Sequence, residues 1–271
     1  DDDLEIVDLR AARLKNKRRG EDLNQLVLFA LNIDENNANC WLAFSHLLEL
    51  NKDHQRALQT TRKALLLDRT SRRGLMRHGE LRMQRNDTKK ALTAFLKAHQ
   101  IHPGLDSYSE IVKCNCILED YQMAESFAAK ALLAYPLESE HSAVSITLMG
   151  LALKMREPQR ACELLQKALK IKPDYDEPLN ALVDMKIKED DLDGAEALLR
   201  EYREQSHDFF FWLKLGEIYG YKRDFQKALE FVTTASRLEP ENERAREMLG
   251  QLEEMIRENE SDLDTEEDGS Y

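Results

Sequence analysis

Residues 209–240 read FFFWLKLGEIYGYKRDFQKALEFVTTASRLEP, and the spacing inside this stretch decides the fold. Trp212, Leu215 and Tyr219 lie three and four apart, so they share one face of a helix. Gly216, on the same stripe, removes a side chain where a second helix must come close. Lys222, Arg223 and Asp224 make a polar turn. Ala228, Phe231, Val232 and Ala235 then form a second apolar stripe at i, i+3, i+4 and i+7, whose small residues let the two helices nest. Pro240 stops the second helix. Such a pair leaves apolar surface on both flanks and needs neighbours built the same way.

The spacing W-x2-L-G-x2-Y, two alanines seven apart and a closing proline make up the tetratricopeptide pattern. The first alanine recurs at Ala57, Ala91, Ala124, Ala161, Ala195 and Ala228, in steps of 34, 33, 37, 34 and 33 residues. Its partner is present at Ala64, Ala98, Ala131, Ala168 and Ala235, with Tyr202 in that place once, and the proline returns at Pro103, Pro136, Pro173 and Pro240. No β-alternation of useful length appears. The expected fold is all-α, a tetratricopeptide-repeat superhelical solenoid of antiparallel helix pairs over residues 1–258. Its units fall at about 4–37, 38–71, 72–104, 105–141, 142–175, 176–208 and 209–241, with a carboxy-terminal capping helix at 242–258.

Both ends depart from the pattern. In residues 4–37 Leu23 and Ala30 occupy the two alanine positions, and Arg10 stands where Leu215 stands later. With Asp1 opening the chain, the sequence reads as a fragment of a longer solenoid whose first unit is frayed or covered. Ser45 replaces the glycine in the second unit, whereas the third keeps Gly79, Ala91, Phe95 and Ala98. The extra residues before the fifth unit, around Leu137 to Ser142, read as a surface connection. Residues 259–271 hold six carboxylates and no base, so an acidic disordered tail is expected there. Ser261 with Asp264, and Thr265 with Asp268, have acid-directed kinase spacing, although an unmodified solubilising tail is the preferred reading.

Composition narrows the function. The formal net charge is −12, half of it from the tail, yet residues 54–103 hold twelve Lys or Arg against Asp68, Glu80 and Asp87. No interleaved aromatics accompany those bases, so a solvated face or an acidic protein partner is preferred to nucleic acid. The longest apolar run, Ile146 to Leu153, is far below the roughly 20 residues that cross a bilayer. Cys40, Cys114, Cys116 and Cys162 read as small core residues of a reducing compartment. His99 and His102, three apart, read as a solvated helix end where imidazolium favours the dipole, in preference to a metal pair.

No nucleophile elbow, phosphate loop or zinc helix is present, so the chain is expected not to be an enzyme, with no catalytic residue, metal or cofactor. What remains is a binding surface lined by the first helix of each pair. Arg73, Arg77 and Lys113 are the candidate partner-binding cations for a carboxylate or an acidic segment. The plainer alternative pairs them with Glu80 or Asp106. His46, Glu80 and Lys113 occupy the inner positions where carboxylate-clamp proteins carry asparagines, which argues against a holder of chaperone tails.

Several local runs sharpen the reading. Trp41 opens a repeat after an acidic turn, and Leu105-Asp106-Ser107-Tyr108 opens another. Ala161 to Ala168 leads into Lys172-Pro173-Asp174-Tyr175, Ala195 to Arg200 carries paired leucines, and Arg237 to Asn242 precedes a Met- and Glu-rich helix. In this order they resemble the carboxy-terminal repeats of the subunit 7 family of the anaphase-promoting complex, a ubiquitin ligase of the cell cycle. The resemblance implies a non-catalytic scaffold stacked with that complex's other tetratricopeptide subunits, in nucleus and cytoplasm. It also implies a homodimer formed largely through amino-terminal repeats that this sequence lacks. The alternative is a general peptide-binding adaptor for an acidic or carboxy-terminal segment; neither reading involves nucleic acid or membrane.

Overall fold

A computed structural model of the chain describes residues 2–136, 141–203, 208–240 and 242–268, with the backbone alone at residues 2, 3, 203 and 258–268. Sixteen helices and no strand occupy the described residues. The chain divides into two compact units, Asp1–Arg156 and Glu157–Tyr271. The first holds α1 (Asp2–Glu5), α2 (Val7–Asn16), α3 (Gly20–Ile33), α4 (Ala38–Leu50), α5 (His54–Leu67), α6 (Arg72–Met83), α7 (Thr88–Ile101), α8 (Leu105–Ile117), α9 (Tyr121–Ala134) and α10 (Ser142–Leu153). The second holds α11 (Pro158–Ile171), α12 (Asp176–Lys188), α13 (Leu192–Arg203), α14 (Phe209–Tyr221), α15 (Phe225–Leu238) and α16 (Glu243–Asp268).

Within the first unit α2 packs on α3, α4 on α5, α6 on α7 and α8 on α9. Each second helix also touches the first helix of the next pair, α3 on α4, α5 on α6, α7 on α8 and α9 on α10. The second unit repeats the scheme: α12 on α13 and α14 on α15, with α11, α13 and α15 each touching the helix that follows. The repeated alanines explain the close nesting. Ala57, Ala91, Ala124, Ala161, Ala195 and Ala228 are fully buried, and so are their partners Ala64, Ala98, Ala131, Ala168 and Ala235. Around them sit fully buried leucines such as Leu165 and Leu215, each contributing about 1.5–3 kcal/mol by leaving water.

Two glycines are required by contact. A Cβ on Gly79 would lie 2.7 Å from Cδ1 of Phe95 on α7, and one on Gly216 would overlap the Cγ2 methyl of Val232 on α15. Ser45 fills the equivalent place in α4 and turns its hydroxyl back to the Leu42 carbonyl at 2.7 Å.

The turns between paired helices share one device that the residue types hide. Arg18, Lys52, Asn86, Glu119, Asp190 and Arg223 all have positive φ, between 53° and 61°, and none is glycine. Each ends a first helix in the left-handed conformation. The next residue's N–H then reaches back five residues, as Asp53 does to the Leu48 carbonyl at 2.8 Å and Asp224 to the Tyr219 carbonyl at 3.1 Å. The same aspartate caps the second helix, Asp53 accepting from the Arg56 N–H at 3.0 Å and Asp224 from the Lys227 N–H at 3.2 Å. One residue thereby closes one helix and starts another.

Helices α7, α9, α11 and α15 all end two residues before Pro103, Pro136, Pro173 and Pro240, because the residue ahead of a proline is pushed out of the helical region.

Some sequence expectations need correction. The last helix runs to Asp268, so its backbone passes through the stretch expected to be a disordered tail beyond 258, and no glycine or proline between Gln251 and Asp268 interrupts it. Gly269, Ser270 and Tyr271 lie outside the described residues, as do 137–140 of the expected surface connection. His99 is no solvated imidazolium. Its Nδ1 lies 2.9 Å from the Ser107 hydroxyl and its ring meets the rings of Tyr108 and Phe127 edge-on. Burial, then Lys130 and Arg72, lower its pKa, so the ring is neutral. Arg10 is exposed beside a buried stripe of Val7, Asp8 and Ala11.

Candidate functional site

The first helices of the first unit bring Asp8 of α2, His46 of α4, Arg73, Arg77 and Glu80 of α6 and Asp106 of α8 around one open groove of about 180 Å³. Helical spacing produces this: Arg73, Arg77 and Glu80 are four and three apart, so they share the groove face of α6. Of the three candidate cations, Arg73 and Arg77 line the groove, and each is engaged. Arg73 donates to Asp8 Oδ1 at 2.8 Å and to the Glu5 carbonyl at 3.0 Å, with 41% of its side chain exposed.

Arg77 is buried. It donates to the Ser45 hydroxyl at 3.1 Å, pairs with Glu80 at 3.3 Å and bonds the Glu49 carboxylate on α4. Lys113, on α8, pairs with Glu110 at 3.5 Å. Asp106 is taken by Arg72, which also donates to the His102 carbonyl at 3.0 Å. Arg77 with Glu80 is thus the pairing the plainer reading expected, and Arg72 with Asp106 is one it did not contain.

The electrostatics follow from burial. Burial works to raise the Glu49 carboxyl, but Arg77 and hydrogen bonds from Lys15 and Gln84 hold it down to about 2. Lys15 lies 2.8 Å away. His46 is held down to about 3 by burial, then by Arg77 and Lys15, against the pull of Glu49. Its Nδ1 has no hydrogen-bond partner among the described residues. Burial raises the Asp8 carboxyl despite Arg73. The groove therefore presents a neutral imidazole, a half-exposed arginine and carboxylates already paired.

Sequence reasoning missed Lys15, Glu49, Asp8 and Arg72. The signal for two pairs was present, since Lys15 and Glu49, and likewise Arg72 and Asp106, lie 34 residues apart, one repeat period. The second unit carries a comparable chain of ions along its first helices. Lys214, with 2% of its side chain exposed, lies 3.2 Å from Asp184 and 2.6 Å from Glu217, which also pairs with Arg244.

Among the described residues no cluster of three His, Cys, Asp or Glu could hold a metal, and no helix is long and apolar enough to cross a membrane. The four cysteines are free. Burial pushes the Cys114 thiol up to about 12 and Cys116 to about 11, so neither is a nucleophile near neutral pH.

Comparison with known proteins agrees with the architecture. Residues 152–209 and 211–242 match models described as tetratricopeptide repeat. The chain is similar to anaphase-promoting complex subunit 7 of Arabidopsis thaliana, 27% identical over 94% of this chain and 45% of the relative. It is also similar to the Homo sapiens protein of that name, 25% identical over 97% of this chain and 46% of the relative. Among solved structures, the one described as the APC/C hetero-tetramer Cut9-Hcn1 aligns with a TM-score of 0.64 at 14% identity, over 91% of this chain and 48% of that one, a likeness of fold. The chain spans about half the length of the curated relatives it matches. Its fold is the all-α tetratricopeptide repeat.

Proposed function

We propose that this chain, which resembles subunit 7 of the anaphase-promoting complex along nearly its whole length, is a scaffold region of that cell-cycle ubiquitin ligase and docks other subunits through its repeat surface. The observation that carries the reading is the extent of the similarity, 94% and 97% of the chain against the plant and human relatives. The geometry suits the role: buried alanines hold the helix pairs at fixed spacing, and paired charges on the first helices make the surface stiff and specific. The partners are the other tetratricopeptide subunits of the complex, a homodimer would form through repeats outside this sequence, and the protein would work in nucleus and cytoplasm.

The second reading is an adaptor that grips an acidic or carboxy-terminal segment through Arg73, Arg77 and Lys113. The burial of Arg77 against Glu49 disfavours it, because a ligand would have to displace an ion pair already shielded from water.

The test is affinity purification of the full-length protein from dividing cells, with mass spectrometry of what stays bound at moderate salt and imaging of its distribution. Recovery of the ligase's other repeat subunits is the expected result. Recovery of chaperones, or of nothing stable, would overturn the scaffold reading.

A further inference from the structure

We propose that a basic cleft in the first unit, between α5 and the turn joining α6 to α7, binds a short acidic segment of a partner protein. The cleft measures about 540 Å³ and is lined by Gln55, Gln59, Arg62, Arg82, Arg85 and Lys90, with Asp87 as its one carboxylate. Four cations against one anion give it a net charge of +3 (4 − 1) in a chain of net −12. The groove lined by Arg73 and Arg77 lacks this imbalance, because Asp8, Glu80 and Asp106 stand among its arginines.

The charges are available. Arg62 and Arg85 are exposed and make no ion pair among the described residues. Asp87 is occupied by Arg82 at 2.7 Å and Lys90 at 3.1 Å. Its carboxylate makes no cap bond to α7, unlike Asp53 on α5 and Asp120 on α9. Arg82 is half-buried and steadied from below, donating to Nε2 of His78 at 3.5 Å, while Nδ1 of that ring lies 3.0 Å from the Thr61 hydroxyl. One arginine is thus fixed and two are free to close on a ligand. Three guanidinium forks favour bidentate carboxylate recognition, and the amides of Gln55 and Gln59 supply further donors.

The occupant follows from what the lining lacks. No aromatic ring lines the cleft, so bases would have nothing to stack on. A long polyanion would also meet the field of a chain at −12, whereas a short acidic segment stays within a screening length of about 8 Å from the four cations. This inference is independent of which complex the chain joins.

The experiment titrates the full chain into a fluorescein-labelled peptide of alternating Glu and Ser, followed by anisotropy at low and physiological salt. Parallel arms use the peptide with Gln for Glu, an oligothymidine, and a peptide of this chain's own residues 258–271. The expected result is binding of the Glu peptide and, no more tightly, of the acidic 258–271 peptide, weakened by salt, with Kd raised about tenfold or more in R62E/R85E/K90E and unchanged in K167E on α11. These sites are exposed, and circular dichroism checks that the variant keeps its helices. Equal affinity in R62E/R85E/K90E, or for the Gln peptide, would overturn the site. Tighter binding of the oligothymidine or of the 258–271 peptide would overturn the partner protein as its occupant. Subunit recovery from cells is read separately, so either proposal can fail without the other.

Discussion

The guanidinium of Arg77 on α6 bonds the carboxylate of Glu49 on α4, with 5% and 12% of the two side chains exposed. Neither charge can return to water without separating two first helices. Removing Arg77 leaves Glu49 in a poorly solvated place with Lys15 and Gln84 as its remaining partners, and that penalty exceeds the pair's own net worth. Arg77→Ala is therefore expected to destabilise the chain by about 3–5 kcal/mol in urea unfolding. The exposed Arg160–Glu157 pair at 3.1 Å is the control, and Arg160→Ala should change stability by less than about 1 kcal/mol. Equal effects at both sites would refute the burial argument.

Gly216 and Val232 form a second coupled pair. Gly216→Ala should cost about 1–3 kcal/mol, because the new methyl meets the Val232 side chain where α14 and α15 cross. Val232→Ala removes the obstacle, so the double variant should lose less than the sum of the single losses. Strict additivity in a double-mutant cycle would show that the helices move apart instead.

The six left-handed turn residues leave room for stabilisation. Lys52→Gly should raise stability by about 0.5–1 kcal/mol, since glycine adopts φ near 61° without the Cβ penalty, partly offset by its greater freedom when unfolded. Asp53→Ala should lower it by about 1 kcal/mol through loss of the α5 cap. A loss of stability in Lys52→Gly would mean that the lysine side chain contributes more than its backbone costs.

Acid should weaken the first unit in two stages. His46, held down to about 3, and His78, held down to about 4 by burial and then by Arg82 and Arg62, stay neutral when folded but take a proton near pH 6.5 when unfolded. The unfolded state therefore binds more protons across that window, and stability falls as pH drops below about 6.5. Glu49 acts later, its contribution present above about 4.5 and lost as pH falls towards 2. Urea midpoints between pH 7.5 and 5 should decline, and His46→Gln should flatten the decline. A pH-independent midpoint over that range would contradict neutral buried histidines. For a fully shielded ring the loss at pH 5 is about 2 kcal/mol, from 1.36 kcal/mol for each pH interval.

Much of the fold was legible because it depends on spacing. Trp212, Leu215 and Tyr219 on one helix face, alanines seven apart and prolines after four of the second helices are local statements about period and volume, and they need no knowledge of distant partners. The turn device was only half legible. Asp224 was read only as part of a polar turn, and the residue before each of Asp53, Asp87, Asp120, Asp191 and Asp224 is no glycine that would betray its positive φ. The end of the last helix was misjudged because charge density was weighed above the absence of a breaker.

The surface was legible only as composition. Arg73, Arg77 and Lys113 share a helix-face argument in sequence, yet the structure separates them: Arg77 buried on Glu49, Arg73 half-exposed on Asp8, Lys113 beside Glu110 on α8. The excess of Lys and Arg in residues 54–103 was visible, but its focus in Arg62, Arg82, Arg85 and Lys90 was not. The sequence by itself determined the repeat, the helix pairing and the small residues that allow it, since these follow from periodicity and side-chain volume along one segment. Only the tertiary structure decided which charges are neutralised and which stay open, because an ion pair depends on distances between residues some 30 positions apart, set by how neighbouring helices pack.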